Sequence, residues 1–163
     1  MRKKIAQKLL RELLKNSKQS DRALAKILKV SQPTITRTRH KLETNGMIQD
    51  YTIVPDFKKM GFELLAINFA KLRPEALTPE ISKRASEFIA KFPSTIFASA
   101  GQGMGMNAVD IAFYKSFSEY HNRVSLMRSA WKDVVEDIQS FIVPLGEGEF
   151  KSFSLTYLKD VPI

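Results

Sequence analysis

The sequence contains no cysteine, one tryptophan and only two histidines, His40 and His121. Without thiols there are no disulfides and no thiolate-held metal. Two isolated histidines, neither given a partner by its spacing, compose no metal centre and no Ser-His-Asp set. No catalytic residue, metal or cofactor is therefore expected. Long apolar runs are also missing: nothing approaches the roughly 20 residues that span a bilayer. The start, Met1 to Lys4, leads into a basic amphipathic helix rather than the apolar core of a signal peptide. A cytoplasmic protein with no membrane partner is the simplest expectation, with a helix lying on a membrane surface as the lesser one. Internal repeats and low-complexity segments are absent too.

Acidic residues are scarce in one region only. Residues 1–60 hold 15 Lys and Arg against 5 Asp and Glu, whereas residues 61–163 hold 11 against 12. A positive surplus confined to one end is the electrostatic footprint of a polyanion-binding module. Together with a length of 163 residues, it predicts two domains, 1–60 and 61–163.

In the first domain, Ile5, Leu9, Leu10, Leu13 and Leu14 recur at helical spacing, predicting a helix over 3–15. Ser20 is placed to cap a second helix whose buried stripe is Ala23, Leu24, Ile27 and Leu28. Lys29 and Val30 form a turn. Ser31 caps a third helix, Pro33 fits its first turn, and Gly46 ends it. Ile35 and Leu42, seven apart, face inward and leave polar and basic side chains outside. Met47 to Val54 reads as a wing strand. The sum is a winged helix-turn-helix.

Beyond Gly61 the rhythm changes. Phe62 to Ala70 reads as a strand apolar on both faces, Thr78 and Pro79 open a helix, and two strands (94–100 and 108–114) flank a glycine-rich loop. A second helix carries Phe117, Tyr120, Val124, Met127 and Trp131 at helical spacing. Residues 135–145 form a further strand, and Gly146 and Gly148 turn it into an alternating strand over 150–158. The fold class is α+β: a ferredoxin-like βαββαβ domain with an extra C-terminal strand. Two helices cover one face of such a sheet, so a second copy of the chain is expected on the other.

Three stretches resemble the leucine-responsive/asparagine regulator family (Lrp/AsnC): LAKILKVSQPTITR over 24–37, LETNGMI over 42–48 with Tyr51, and PDFKKMG over 55–61. The resemblance implies a dimer, often assembled further, that binds double-stranded DNA through its first domain and regulates transcription. It also implies a second domain that senses an amino acid or related metabolite, bound between subunits near the loop joining its second and third strands. On this chain the DNA-contacting set is Ser31, Gln32, Thr34, Thr36, Arg37, Arg39, His40 and Lys41 with Arg22; the effector set is Gly101, Gly103, Met104, Gly105, Met106 and Asn107. Gln pairs with adenine and Arg with guanine in the major groove, while Lys18, Arg22, Lys26, Arg39, Lys41, Lys58 and Lys59 suit phosphates.

Two departures from the family stand out. Arg39 occupies a position the family commonly gives to an aliphatic residue. The usual T-G-x-x-D loop is replaced by AGQGMGMNAVD over 100–110, where Asp110 is either the acidic counterpart or an outward strand residue. Gly101 to Gly105 lacks the Lys-Ser/Thr ending and the following helix of a phosphate loop, so it is read as an apolar-ligand or subunit contact, or as a plain hairpin. The rival function is a tetrapyrrole (sirohaem-type) decarboxylase on the same two-domain plan, in which histidine and arginine would handle the macrocycle.

Overall fold

The computed structural model describes residues 2–76 and 78–162, leaving aside the side chains of Arg2 and Lys3. It divides into two compact units: Met1–Val54 with Lys151–Ile163, and Pro55–Phe150. This corrects the expected limits of 1–60 and 61–163. Residues 55–61 fall in the second unit because Phe57 stacks on Phe113, with ring centroids 4.1 Å apart. The last residues fall in the first because they pack on its opening helix.

In the first unit three helices, α1 (Arg2–Lys15), α2 (Asp21–Leu28) and α3 (Gln32–Thr44), enclose a wholly apolar core. Leu9, Leu24 and Ile35 are fully buried, with Leu13, Ala25 and Leu42 around them and Ile48 packed alongside. Ser20 Oγ accepts the Ala23 amide at 3.2 Å, as a capping serine should. Ser31 differs: its carbonyl accepts the Thr34 and Ile35 amides, while its hydroxyl lies 2.8 Å from the Thr34 hydroxyl and caps no backbone group. Between α2 and α3 the chain turns at Lys29, whose φ of 54° is left-handed and unusual for a residue with a Cβ. The Val30 amide reaches back to the Ala25 carbonyl at 3.0 Å. Gly46 (φ 73°) ends α3, and the Ile48 amide closes onto the Leu42 carbonyl at 2.9 Å.

Two expected strands are not formed. Met47 to Val54 is irregular, and Ile53 and Val54 are exposed. Among the described residues no second strand lies beside it to take up its backbone groups. Residues 150–158 likewise pair with no strand among the described residues. After left-handed Gly146 and Gly148 the segment closes into a 3-10 helix, Leu155–Asp160, opened by Ser154 Oγ accepting the Thr156 amide at 3.1 Å. The alternation of Phe153, Leu155 and Tyr157 mimics a strand, yet all three are exposed.

The second unit follows the βαββαβ order: β1 (Leu64–Leu72), α4 (Pro79–Ile89), β2 (Thr95–Gly103), β3 (Met106–Tyr114), α5 (Phe117–Ala130) and β4 (Val135–Pro144). The sheet is antiparallel, in the order β2-β3-β1-β4. Along β1, Leu64, Ala66 and Asn68 are buried while Leu65, Ile67 and Phe69 are half-buried, so the even residues face inward. On the opposite face the register aligns Phe97, Ile111, Ile67 and Phe141 in one row across all four strands. Phe97 and Phe141 of that row are 51% and 64% exposed, too much apolar surface to leave wet without a reason.

Candidate DNA-binding surface

Helix α3 owes its amphipathicity to two buried residues one heptad apart, Ile35 and Leu42. The helical period then sends Arg37, His40 and Lys41 out on the opposite side, with Gln32 near the amino-terminal end; all four are exposed. The side chains of Gln32, His40 and Lys41 make no hydrogen bond or ion pair among the described residues. Arg37 donates its Nε to the Pro33 carbonyl at 3.2 Å, which lays the guanidinium along the first turn and leaves its two terminal nitrogens unengaged. Arg22 and Lys26 are exposed on α2, and Lys18 in the preceding loop. These side chains form a positive surface with free hydrogen-bonding groups on the helix end that would meet base edges.

Other members of the expected set are already engaged. Ser31 and Thr34 satisfy one another. The Thr36 hydroxyl, though exposed, lies 2.7 Å from Asp21 Oδ2 and 3.2 Å from the Gln32 carbonyl, so it is engaged with α2. Arg39 is the most heavily engaged of the set. Its Nε donates to Asp21 Oδ1 at 2.8 Å, one terminal nitrogen donates to the Tyr51 hydroxyl at 3.2 Å, and the other to the Gln19 carbonyl at 3.3 Å. With the guanidinium also 5.9 Å from the centre of the Tyr51 ring, little of it remains for a phosphate. The Tyr51 hydroxyl in turn donates to Glu43 Oε1 at 2.9 Å.

The position usually held by an aliphatic residue thus carries a charge that ties α2, α3 and the chain after α3 together. Burial opposes the charge on Arg39, but the hydrogen bonds it donates to Tyr51 and Asp21 outweigh it and hold the guanidinium above its ordinary pKa. Burial also raises Tyr51, with Arg39 working against the rise and Glu43 with it. Sequence reasoning missed this network: Asp21 and Arg39 are 18 residues apart, and no periodicity links them. The one signal was the mismatch at Arg39 itself. A basic residue on the buried side of a helix requires an acid within reach.

In the second unit the glycine-rich run is a tight hairpin, with Gly101 and Gly103 inside β2 and only Met104 and Gly105 in the turn, both at positive φ. Met104 is 75% exposed and Met106 is buried. Asn107 is spent on β1, its Oδ1 accepting the Leu72 amide at 2.7 Å and its Nδ2 donating to the Leu72 carbonyl at 2.8 Å. None of the six expected effector residues lines the cleft beside Tyr51 or the one between α4 and the sheet. Asp110 does not face outward; it is buried beside Asn68. His121 is exposed on α5 and makes no hydrogen bond or ion pair among the described residues. Among the described residues no cluster of His, Asp and Glu is suited to a metal, and no helix is long and apolar enough to cross a membrane.

A family profile described as winged helix-turn-helix DNA-binding matches residues 2–49. The chain is 34% identical over 86 residues to the HTH-type transcriptional regulator LrpA of Pyrococcus abyssi, a stretch covering 53% of this chain and 59% of that protein. It is 31% identical over 103 residues to LrpA of Pyrococcus horikoshii, covering 63% and 71%. Among solved structures, a transcriptional regulator from Neisseria meningitidis in complex with L-Met superposes with a TM-score of 0.75 at 20% identity, covering 95% of this chain and 97% of that one. AsnC of E. coli superposes at 0.71 and 17% identity, covering 92% and 96%.

Proposed function

Since the chain belongs to the Lrp/AsnC family of transcription regulators, we propose that it works as a homodimer or larger assembly whose two α3 helices enter successive major grooves about 34 Å apart along the duplex. Gln32 and Arg37 read bases. Arg22, Lys26, Lys41 and Lys18 hold phosphates, and His40 lies at the edge of the contact. Arg39 and Thr36 act through Asp21, as positioning residues that fix the angle between α2 and α3. The observation that carries this reading is the exposed row opposite Ile35 and Leu42, in which His40, Lys41 and the terminal nitrogens of Arg37 are unengaged among the described residues.

The apolar row from Phe97 to Phe141 supplies the surface on which protomers join. An amino-acid effector at the β2–β3 turn follows from family membership and from the L-Met bound by the Neisseria meningitidis regulator; a neighbouring protomer would complete that site beside Met104. On this reading the chain catalyses no reaction, needs no cofactor and works in the cytoplasm, where the DNA is.

The test is retention of genomic fragments by the purified protein, followed by sequencing. A roughly palindromic site is expected, and affinity should fall steeply with salt as phosphate counterions are displaced. The double substitution Gln32→Ala, Arg37→Ala should bring the preferred site down to the affinity of random duplex. Full discrimination by that variant would refute base reading by α3.

A further inference from the structure

The helix-covered side of the second unit is incompletely filled. Neither α4 nor β2 contributes a buried residue, and between the helices and the sheet lies a cleft of about 610 Å³. That volume is within the range of small-molecule sites, roughly 300–1,000 Å³. Its walls are apolar, with Leu72, Ile81, Ala85, Phe88, Met127 and Trp131 prominent, and its one ionisable lining side chain is Asp110.

Asp110 is 7% exposed, and only half of its carboxylate is satisfied. Oδ2 accepts from Asn68 Nδ2 at 2.9 Å, whereas Oδ1 has no donor among the described residues. Asn68 has nothing further to give: its Oδ1 accepts from Ser140 Oγ at 2.7 Å, and its Nδ2 also approaches the Tyr114 hydroxyl at 3.4 Å. Arg123 is the neighbouring cation, but it forms no ion pair with Asp110 among the described residues. Its guanidinium lies 3.1 Å from the centre of the Phe92 ring, its terminal nitrogens are buried without partners, and it is not part of the cleft wall. A carboxylate at the rim of an apolar chamber, with one oxygen free, complements a positive charge.

We propose that the cleft is a binding site for a small apolar amine, with its ammonium on Asp110 Oδ1 and its hydrocarbon part between α4 and the sheet. An amino acid fits poorly, because no cation lines the chamber to receive its carboxylate. The site is separate from the β2–β3 turn and does not depend on the DNA-binding reading.

Calorimetric titration of the full chain with phenethylamine and with 3-phenylpropionate decides the matter. The amine is expected to bind at least tenfold more tightly than the acid. Asp110→Asn, which keeps the shape and the Asn68 contact, should lose at least tenfold in amine affinity while retaining DNA. Ala98 is paired with Asp110 in the sheet, so Ala98→Phe should fill the chamber and abolish binding, whereas Met104→Ala at the turn should leave it intact. Absence of amine binding by the unaltered chain, equal binding of the acid, or an unchanged affinity in Asp110→Asn would each overturn the proposal. So would a fall in assembly mass for Ala98→Phe when the unaltered chain binds no amine, which would mean that a second copy fills the cleft. Loss of DNA binding with amine binding intact would instead count against the regulator reading alone.

Discussion

The two units solve the same packing problem with different materials. In the smaller the buried residues are all aliphatic, Leu9, Leu13, Leu24, Ala25, Ile35 and Leu42; Arg11 Nε is its one unmet buried polar atom among the described residues, and its charged network lies at the rim, where Arg39 and Asp21 are about one fifth exposed. The larger buries Asn68, Asp110 and Arg123 and leaves terminal nitrogens of the arginine without partners. A helix that must meet DNA at a fixed angle is served by a dry core and a charged brace beside it. A sheet that can give up some stability retains polar groups inside, where each unmet group costs about 1–3 kcal/mol.

The largest expected effect breaks the smaller unit while sparing the other. Leu24→Ala should cost about 2–5 kcal/mol by opening a cavity in the aliphatic core, and calorimetry should show one transition moving down while that of the second unit stays. A single coupled shift would mean that the units fold as one. Next in size, Phe141→Lys puts a charge in the middle of the exposed apolar row and should reduce the assembly to single chains in light scattering. An unchanged mass would remove that face from the interface.

Smaller, Arg39→Leu tests the brace. It restores the family's aliphatic character, and a drop in DNA affinity of about tenfold, with the fold intact by circular dichroism, is expected from the loosened angle between α2 and α3. Asp21→Asn should reproduce most of that loss, and the double variant should add little to it. Unchanged affinity in both would reduce the network to surface decoration.

The smallest effect concerns pH. Burial raises Asp110, with the Asn68 hydrogen bond and the Arg123 charge only partly offsetting it; Tyr114 is the other titratable group facing this cluster, alongside Ser140. A carboxyl raised on folding binds its proton more tightly in the folded state. The resulting penalty is absent below the ordinary carboxylate range and is fully present once pH exceeds the folded pKa. Asp110→Asn should therefore raise the melting temperature of the second unit by a few degrees at pH 7, with the gain disappearing near pH 3. A gain independent of pH would mean that packing, not charge, is responsible.

This contrast also explains what the sequence made legible. The aliphatic stripes announce their helices through spacing, and Ser20, Pro33 and Gly46 mark the boundaries, so the helix-turn-helix can be read from residue order alone. The row Gln32, Arg37, His40, Lys41 follows from the same period. Arg39 and Thr36 escape it because their role is set by a contact with Asp21 across two helices, which one-dimensional spacing does not encode. The strand expected over 150–158 fails for a related reason: alternation describes a ribbon but does not supply the neighbour it must pair with. Asp110 is hidden because an acid in a strand looks the same whether it points to water or into the core.

The final residues of the chain belong to its opening unit. Translation delivers α1, α2 and α3 first and the 3-10 helix that rests on α1 only after every strand of the sheet has been made. While the sheet is being synthesised the groove-reading module still lacks residues 151–163, so it cannot finish folding ahead of the second unit.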